Sequence, residues 1–427
     1  MNLLERLASC PGQLILEEVS VPYSLLAQSA LRESERFQTG DRIMLWTDEV
    51  DRIITILAAA LSRSADIYIA HRTIAKEEIF TLASRFGIEW LVDQADIQRI
   101  RPSSSSGSGS IFVMTSGTTR APKVARHAPE SLLATQRRTE KSEHARWLLT
   151  YPPTSFAGLQ VVFSAVLGGA DLVVPRERTI TALAEAAERR QVSHISGTPT
   201  FWRSFLSLLT PTERVSLQQV TIGGEAVDQV TLDRLGEAFP TARITHIYAS
   251  TEAGVGFSVN DRRAGIPAEW LQCGVGDVRL RVRNGVLEIQ SPRMLKRYES
   301  GEETPVDSEG WLSTGDLVRT DGDRLLFVGR ADRRLNVGGF KVSPEEVEAV
   351  LMQCAGVAEV QVSGVPSPIS GQVLAASVVP KPGFEAETVK KAVQRLAYER
   401  LEPFKVPRIV RIVQSVTVAD SGKKARQ

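Results

Sequence analysis

Residues 41 to 100 alternate between short apolar runs and stretches whose apolar residues recur at helical spacing: DRIMLW, the run around Ile53 to Leu61, ADIYIAH, KEEIFTLASRFG and IEWLVD. Short runs bounded by turn residues read as buried strands, and apolar residues three and four apart read as one face of a helix. Strand alternating with helix predicts a parallel sheet with helices packed on it. The pattern returns between Trp147 and Ala249 in LLTYPP, LQVVFSAVLGG, DLVVP, TALAEAAERR, VSHISGTP, TFWRSFLSLL, QQVTIGG, LDRLGEAF and THIYAS. A second α/β unit is expected there.

Between Val275 and Val328 the segments DVRLRVRNG, VLEIQS and RLLFVGR alternate with a period of two, punctuated by NG at 284 to 285 and DG at 321 to 322. These are hairpin signals and predict a small β subdomain. After Arg330 come the polar ADRR, then FKVSPEEVEAVLMQC, AEVQVSGVP, QVLAASVVP, ETVKKAVQRLAYERL and RIVRIV. Strand and helix mixed over so short a span predict an autonomous α+β domain joined by a hinge. The expected fold class is thus α/β. A large N-terminal region of α/β subdomains plus the β subdomain, residues 1–330, is followed by a mobile α+β C-terminal domain, residues 331–427. SSSSGSGS at 103 to 110 is low-complexity and flexible by composition, and would be a linker if the run that follows it were unremarkable, which it is not.

The 51 basic and 50 acidic side chains nearly cancel, which argues against a general electrostatic footprint for nucleic acid or an anionic membrane. The three cysteines, Cys10, Cys273 and Cys354, are odd in number and far apart, which speaks against a disulfide framework or a cysteine metal site. The N-terminus mixes Glu and Arg among its apolar residues, unlike a secretion signal. IITILAAAL from Ile53 is about half the roughly 20 residues a bilayer-spanning helix needs. The expectation is a cytoplasmic protein with neither a membrane nor a nucleic-acid partner.

The chemistry concentrates in a few segments. Directly after the apolar IFVM, the run Thr115, Ser116, Gly117, Thr118, Thr119, Arg120, Ala121, Pro122, Lys123 offers backbone amides, four hydroxyls and a cation. That is the set needed to wrap polyphosphate oxygens. It lacks the Gly-Lys-Ser or Gly-Lys-Thr of a P-loop, so a kinase or P-loop ATPase making ADP is the weaker reading. The run resembles the phosphate loop of the AMP-forming acyl-adenylating superfamily: acyl-CoA synthetases, adenylation domains of peptide synthetases and luciferases. Further segments resemble that family in its order: GGEAV at 223 to 227, YASTEAG at 248 to 254, GWLSTGDL at 310 to 317, FVGRADRRLNVGGFKVSPEEVE at 327 to 348 and SGKKAR at 421 to 426.

The resemblance implies roles for individual residues. Thr115, Ser116, Gly117, Thr118, Thr119 and Lys123 would bind the phosphates of ATP. Gly223, Gly224, Glu225, Tyr248, Ala249 and Ser250 would form the adenine slot, with the Tyr248 ring as a stacking face. Asp316 would accept both ribose hydroxyls beside Arg330. Thr251 would contact phosphate and Glu252 would hold Mg²⁺, a hard cation suited to carboxylate and phosphate oxygens. Lys423 would bridge the carboxylate oxygen and the α-phosphate as charge builds up in the transition state. Asp332 matches the hinge, and Gly338, Gly339 and Lys341 would line a channel for a thiol-bearing arm, either CoA or the phosphopantetheine of an acyl carrier protein.

The sequence departs from the family pattern at Arg120, where glycine is usual, at Ser155, where a histidine is frequent, and at Asn336, where lysine is common. Ala157 stands about where amino-acid-activating members carry aspartate, so an amino acid is the weaker substrate. Ser155, Phe156, Gly158, Ser196, Gly197 and Gly256 are small or apolar pocket candidates that suit an aryl or medium-sized acyl group. The implied activity is ATP-dependent formation of an acyl adenylate with release of pyrophosphate, then transfer to a thiol, CoA being favoured slightly over a carrier protein. A non-catalytic nucleotide- or acyl-binding homologue is the rival reading, suggested by the three departures.

Overall fold

In the computed structural model, which describes residues 3–104, 106–115, 123–133, 142, 144–209, 215–295, 297–299, 301, 306–367, 371–419 and 423–425, the alternation expected over residues 41 to 100 is realised. Strand Arg42–Leu45, helix Val50–Ser62, strand Asp66–Ile69, helix Lys76–Arg85 and strand Trp90–Val92 follow in order. The three strands pair in parallel, and Asp66–Ile69 also pairs in parallel with Ile111–Thr115.

The pleat decides where each side chain goes. Ile43, Leu45, Ile67, Ile69, Ile111 and Val113 enter one apolar cluster, while Met44, Trp46, Tyr68, Ala70, Phe112 and Met114 enter another. Because successive side chains leave a strand on opposite faces, a near-continuous apolar run is what a strand covered on both faces requires. On the second face Tyr68 and Phe112 stack at 4.1 Å between centroids.

The chain divides into two units. One comprises Met1–Ser196, Ala249–Gly256 and Pro292–Pro305. Besides the sheet just described, it holds parallel strands His194–Gly197, Arg146–Leu148, Asp171–Val174 and Gln13–Leu16, with Val19–Pro22 antiparallel to the last. Helix Phe156–Gly168 packs into the same apolar cluster.

The other unit comprises Gly197–Tyr248, Phe257–Ser291 and Val306–Gln427. It contains the parallel pair Gln219–Gly223 and Arg243–Ser250, and a five-stranded antiparallel sheet built from Ile266–Pro267, Arg324–Arg330, Leu312–Asp321, Val286–Gln290 and Arg279–Arg283. The expected β subdomain is this sheet. The NG turn falls where the sequence indicates, whereas the other hairpin turns at Gly322 and Asp323, one residue beyond the expected pair. Residues after Arg330 form hairpin Leu335–Val337 with Phe340–Val342, helices Pro344–Leu351 and Ala386–Arg400, and a sheet of Val357–Ser367, Gly371–Pro380 and Ile409–Ile412. They bury a cluster of their own around Val347, Leu351, Val360 and Val393. Among the described residues no helix is long and apolar enough to cross a membrane.

The serine-rich run corrects its compositional reading. Asp66 Oδ1 accepts the N–H of Ser108 at 2.8 Å and of Ser110 at 2.9 Å, Glu89 Oε1 accepts the Ser104 hydroxyl at 2.6 Å, and the Gly107 N–H reaches Gly40 O at 2.7 Å. The segment is strapped to the starts of two strands because its donors meet buried carboxylates that composition does not reveal. Replacing Asp66 by alanine strands two of those N–H groups, so Asp66→Ala is expected to destabilise the protein by about 2–4 kcal/mol. Asp66→Asn, which keeps one acceptor oxygen, should lose less; urea unfolding midpoints at constant m-value check both.

Candidate functional site

Two constellations carry the residues singled out from the sequence, one in each unit. In the second unit, Tyr248 lies in an aromatic stack with Phe257, at 5.0 Å, and Phe327, at 5.5 Å. Its phenol donates to Asp316 Oδ2 at 2.5 Å, and Arg330 donates to Asp316 Oδ1 at 3.3 Å. Burial raises the Asp316 pKa, opposed by the Tyr248 hydrogen bond and the Arg330 charge, which favour the ionised carboxylate. The Tyr248 phenol is held well above its ordinary range, first by burial and then by the Asp316 charge. Each carboxylate oxygen of Asp316 still has a lone pair to offer a hydroxyl. Arg330 also binds Asp332, at 3.0 Å, which ties the proposed hinge residue to the same cluster.

In the same unit, Gly223 and Gly224 are glycines for local reasons, close packing at one and a left-handed φ at the other. A Cβ on Gly223 would stand 2.3 Å from Ile247 O; Gly224 has φ +82°, and a Cβ there would stand 3.4 Å from Lys423 Cε and 3.9 Å from Lys423 Nζ. Lys423 is therefore gathered to the glycine turn and is not a frayed terminus. Part of its side chain stays in solvent, but crowding by protein desolvates the ammonium and pulls its pKa below the lysine value, against the opposing charge of Glu225.

Glu225 itself is occupied: its carboxylate accepts the Thr200 N–H at 3.1 Å, the Thr200 hydroxyl at 2.7 Å and the Lys424 N–H at 2.9 Å. Gly338 and Gly339, both at positive φ, form the two-residue turn between Leu335–Val337 and Phe340–Val342, with Lys341 exposed on the second strand opposite Asn336. Gly197 is closed by packing, since a Cβ there would meet the Phe201 ring at 2.2 Å.

In the first unit, Lys123 opens strand Lys123–His127 and places its ammonium 5.2 Å from the centroid of the Tyr298 ring. Tyr298, on a two-residue strand paired with the same segment, donates its phenol to Glu252 Oε1 at 2.7 Å. Lys123 and Glu252 thus share one aromatic bridge that sequence reasoning missed. Ser250 takes the Ala253 N–H at 2.9 Å, which shapes the turn carrying Thr251 and Glu252, and Ala249 packs on the apolar core. Among the described residues no group of three or more metal-ligating side chains is present. A lone carboxylate such as Glu252 fits Mg²⁺ of the kind that keeps waters and takes its remaining ligands from substrate phosphates.

Thr115 ends its strand opposite Lys123; Ser116, Gly117, Thr118, Thr119 and Arg120 lie outside the described residues. Ser155 caps helix Phe156–Gly168, accepting the Gly158 N–H at 3.0 Å while donating to Pro152 O at 2.7 Å. Gly158 admits no side chain, because a Cβ would stand 2.0 Å from Pro152 O. Phe156 is buried against His127, and Ser196 O accepts the Thr150 hydroxyl at 2.5 Å. Gly256 is buried in strand Gly254–Val259.

His127, 1% exposed, has neither ring nitrogen hydrogen-bonded among the described residues. Burial pushes its pKa down from 6.5 to about 4, with the Glu252 charge opposing. Since the unfolded chain then binds the proton first, the stability held above pH 6.5 declines as the pH falls toward 4. His127→Leu is expected to remove up to about 3 kcal/mol of that decline, read from urea unfolding at pH 7 and pH 4.5.

The chain matches the model of the AMP-binding enzyme over residues 95–299 and that of the AMP-binding enzyme C-terminal domain over residues 346–423. Its relatives include a protein named as a CoA ligase in Humulus lupulus, 28% identical over 74% of this chain, and a p-hydroxybenzoic acid–AMP ligase of Mycobacterium marinum, 26% identical over 91% of it. The alignments take in 62% and 61% of those relatives, so the chain spans about three fifths of their length. Solved structures of an anthranilate CoA ligase in complex with anthranoyl-AMP and of a benzoate CoA ligase from Burkholderia xenovorans share the fold, with TM-scores of 0.81 and 0.78 at 18% and 20% identity. Each likeness covers 99% of this chain, and 95% and 98% of the other. By its family matches and by its fold, a mixed α/β N-terminal region followed by a small C-terminal domain, the chain belongs to the AMP-forming acyl-adenylating superfamily.

Proposed function

We propose that the chain is an acid–thiol ligase that couples ATP to a carboxylic acid, forming an acyl adenylate and pyrophosphate, and then passes the acyl group to a thiol. The observation that carries this reading is the gathering of Lys423, Gly224, Tyr248, Asp316 and Arg330 within one unit. A carboxylate oxygen attacks the α-phosphorus, the bond to the bridging oxygen breaks, and pyrophosphate leaves with the electron pair. The nucleophile is already ionised, so no side chain has to move a proton; the protein supplies position and charge. Lys423 offsets the negative charge that grows on the α-phosphate, Asp316 receives the ribose hydroxyls, and the Gly223–Gly224 turn with Tyr248 takes the purine. Lys123 holds phosphate oxygens, and Glu252 would hold Mg²⁺, which would offset phosphate charge.

An aryl or medium-sized acyl acid fits best. Relatives named for p-hydroxybenzoic acid, and structural neighbours named for anthranilate and benzoate, support the aryl choice. The second step belongs to a C-terminal domain, residues 331–427, that swings about Asp332 and presents Gly338, Gly339 and Lys341 to the thiol. CoA is the favoured acceptor; loading of a carrier-protein phosphopantetheine, which presents the same thiol, is the second reading.

Pyrophosphate release trapped with hydroxylamine, across a panel of aryl, fatty, dicarboxylic and amino acids, tests the first step. Release dependent on an acid, with AMP as coproduct, is expected, and Lys423→Ala should lower it about 10²- to 10³-fold. ADP as product, or release indifferent to every acid and to Lys423→Ala, would sink the reading.

A further inference from the structure

Two adjacent lysines, Lys423 and Lys424, are treated in opposite ways. Lys424 is 7% exposed, whereas Lys423 is exposed. The Lys424 ammonium donates to Val360 O at 2.6 Å and to Glu348 Oε2 at 3.0 Å, and pairs with Glu359 Oε1 at 2.9 Å. Glu359 offers its other oxygen to Arg203 Nε at 2.5 Å, and Arg203 in turn reaches Asp228 Oδ2 at 3.0 Å and the Thr231 hydroxyl at 3.2 Å.

The backbone is fixed as closely as the side chain. Lys424 donates its N–H to Glu225 and pairs with Val418 across an antiparallel bridge. On either side, the Ala419 N–H reaches Lys423 O at 2.8 Å and the Ala425 N–H reaches Thr417 O at 2.9 Å.

Lys424 sits on the bridge and Lys423 on the bend just before it, so the two side chains meet different neighbours: Lys424 is seated among Glu348 and Glu359, and Lys423 lies against the Gly224 turn. A slip of one residue would exchange the two lysines, and two like side chains in a row offer no hydrophobic pattern to forbid it. The carboxylate cluster supplies the missing choice, because it accepts one ammonium and the Glu225 acceptor fixes which residue's N–H faces it.

We infer that Lys424 is a positioning residue for the adenylation step: its buried ion pairs set the register and direction from which Lys423 is delivered. The inference rests on the reading of Lys423 given above. Lys424→Met keeps length and burial while removing the charge. In acid-dependent ATP–pyrophosphate exchange, kcat should fall about tenfold to a hundredfold, as misplacement of a catalytic group by about 1 Å does, while KM for ATP stays within about threefold.

Since Lys424 acts through Lys423, adding Lys424→Met to Lys423→Ala should cost nothing more. Amide hydrogen exchange should show residues 417–419 and 423–425 losing protection while the protein stays folded, with a lowered Tm because Glu348 loses its ammonium partner. A further, additive loss in the Lys423→Ala background overturns the positioning role, as does parental exchange and protection in Lys424→Met. A parent without acid-dependent exchange sinks the adenylation reading instead, and amide exchange in Lys424→Met then decides by itself whether Lys424 fixes this segment.

Discussion

A charge taken out of water must meet its counter-charge in a fixed geometry, and the second unit is organised around one such obligation. Arg203, Glu348, Glu359 and Lys424 are each less than a tenth exposed. Desolvation costs several kcal/mol per buried ion, recovered only when the partners are close and the remaining donors and acceptors are used. Here they are: opposed by burial, the charges of Arg203 and Lys424 still hold the Glu359 carboxyl below its usual range, and the guanidinium of Arg203 is raised by Glu359, Asp228 and Glu225. Such a cluster adds little net stability over apolar packing of the same volume. What it does add is discrimination, because any arrangement that separates the partners leaves a bare charge in a low-dielectric interior.

The first unit solves a related problem with neutral donors. Asp66 and Glu89, 3% and 1% exposed, sit at the starts of buried strands, where the pleat leaves no water to solvate them. The serine-rich run provides that solvation from the protein itself, through N–H and hydroxyl donors. A segment of small residues can approach so closely because Gly107 has no Cβ; one would stand 2.7 Å from Gly40 O. Composition that favours disorder in isolation here becomes a strap, since the acceptors it meets lie more than ten residues away in sequence.

That difference in range explains what could be read in advance. Strand and helix identity over residues 41 to 100 follows from periodicity, which is local, and the NG turn follows from backbone preference at two residues. The glycine turn and Lys423 are visible as motifs, and their proximity joins segments about two hundred residues apart. Tyr298 was invisible because nothing around it has a pattern: its strand is two residues long, and its partners Lys123 and Glu252 come from distant segments. The burial of Lys424 was equally hidden, as a second lysine near a chain end looks like solvated tail until Glu348 and Glu359 are seen to enclose it.

The charge cluster also has a seam. Lys424, Glu348, Glu359 and Val360 all belong to the C-terminal segment, so their contacts travel with it in any rotation about Asp332. The contacts that reach residues 197–248 are different ones: Arg203 with Glu359, Arg234 with Val357 O at 2.8 Å, and Glu225 with the Lys424 N–H. If the segment swings as proposed, those are what must open. Arg203 would then lose Glu359 but keep Asp228, and Glu359 would lose Arg203 but keep Lys424. Neither charge is left unpaired, so the large penalty for stripping a buried ion of its last partner is avoided. On the proposed function, the division of partners would reconcile two demands that otherwise conflict: a lysine held firmly enough to serve a transition state, and a segment free to carry that lysine away once the adenylate has formed.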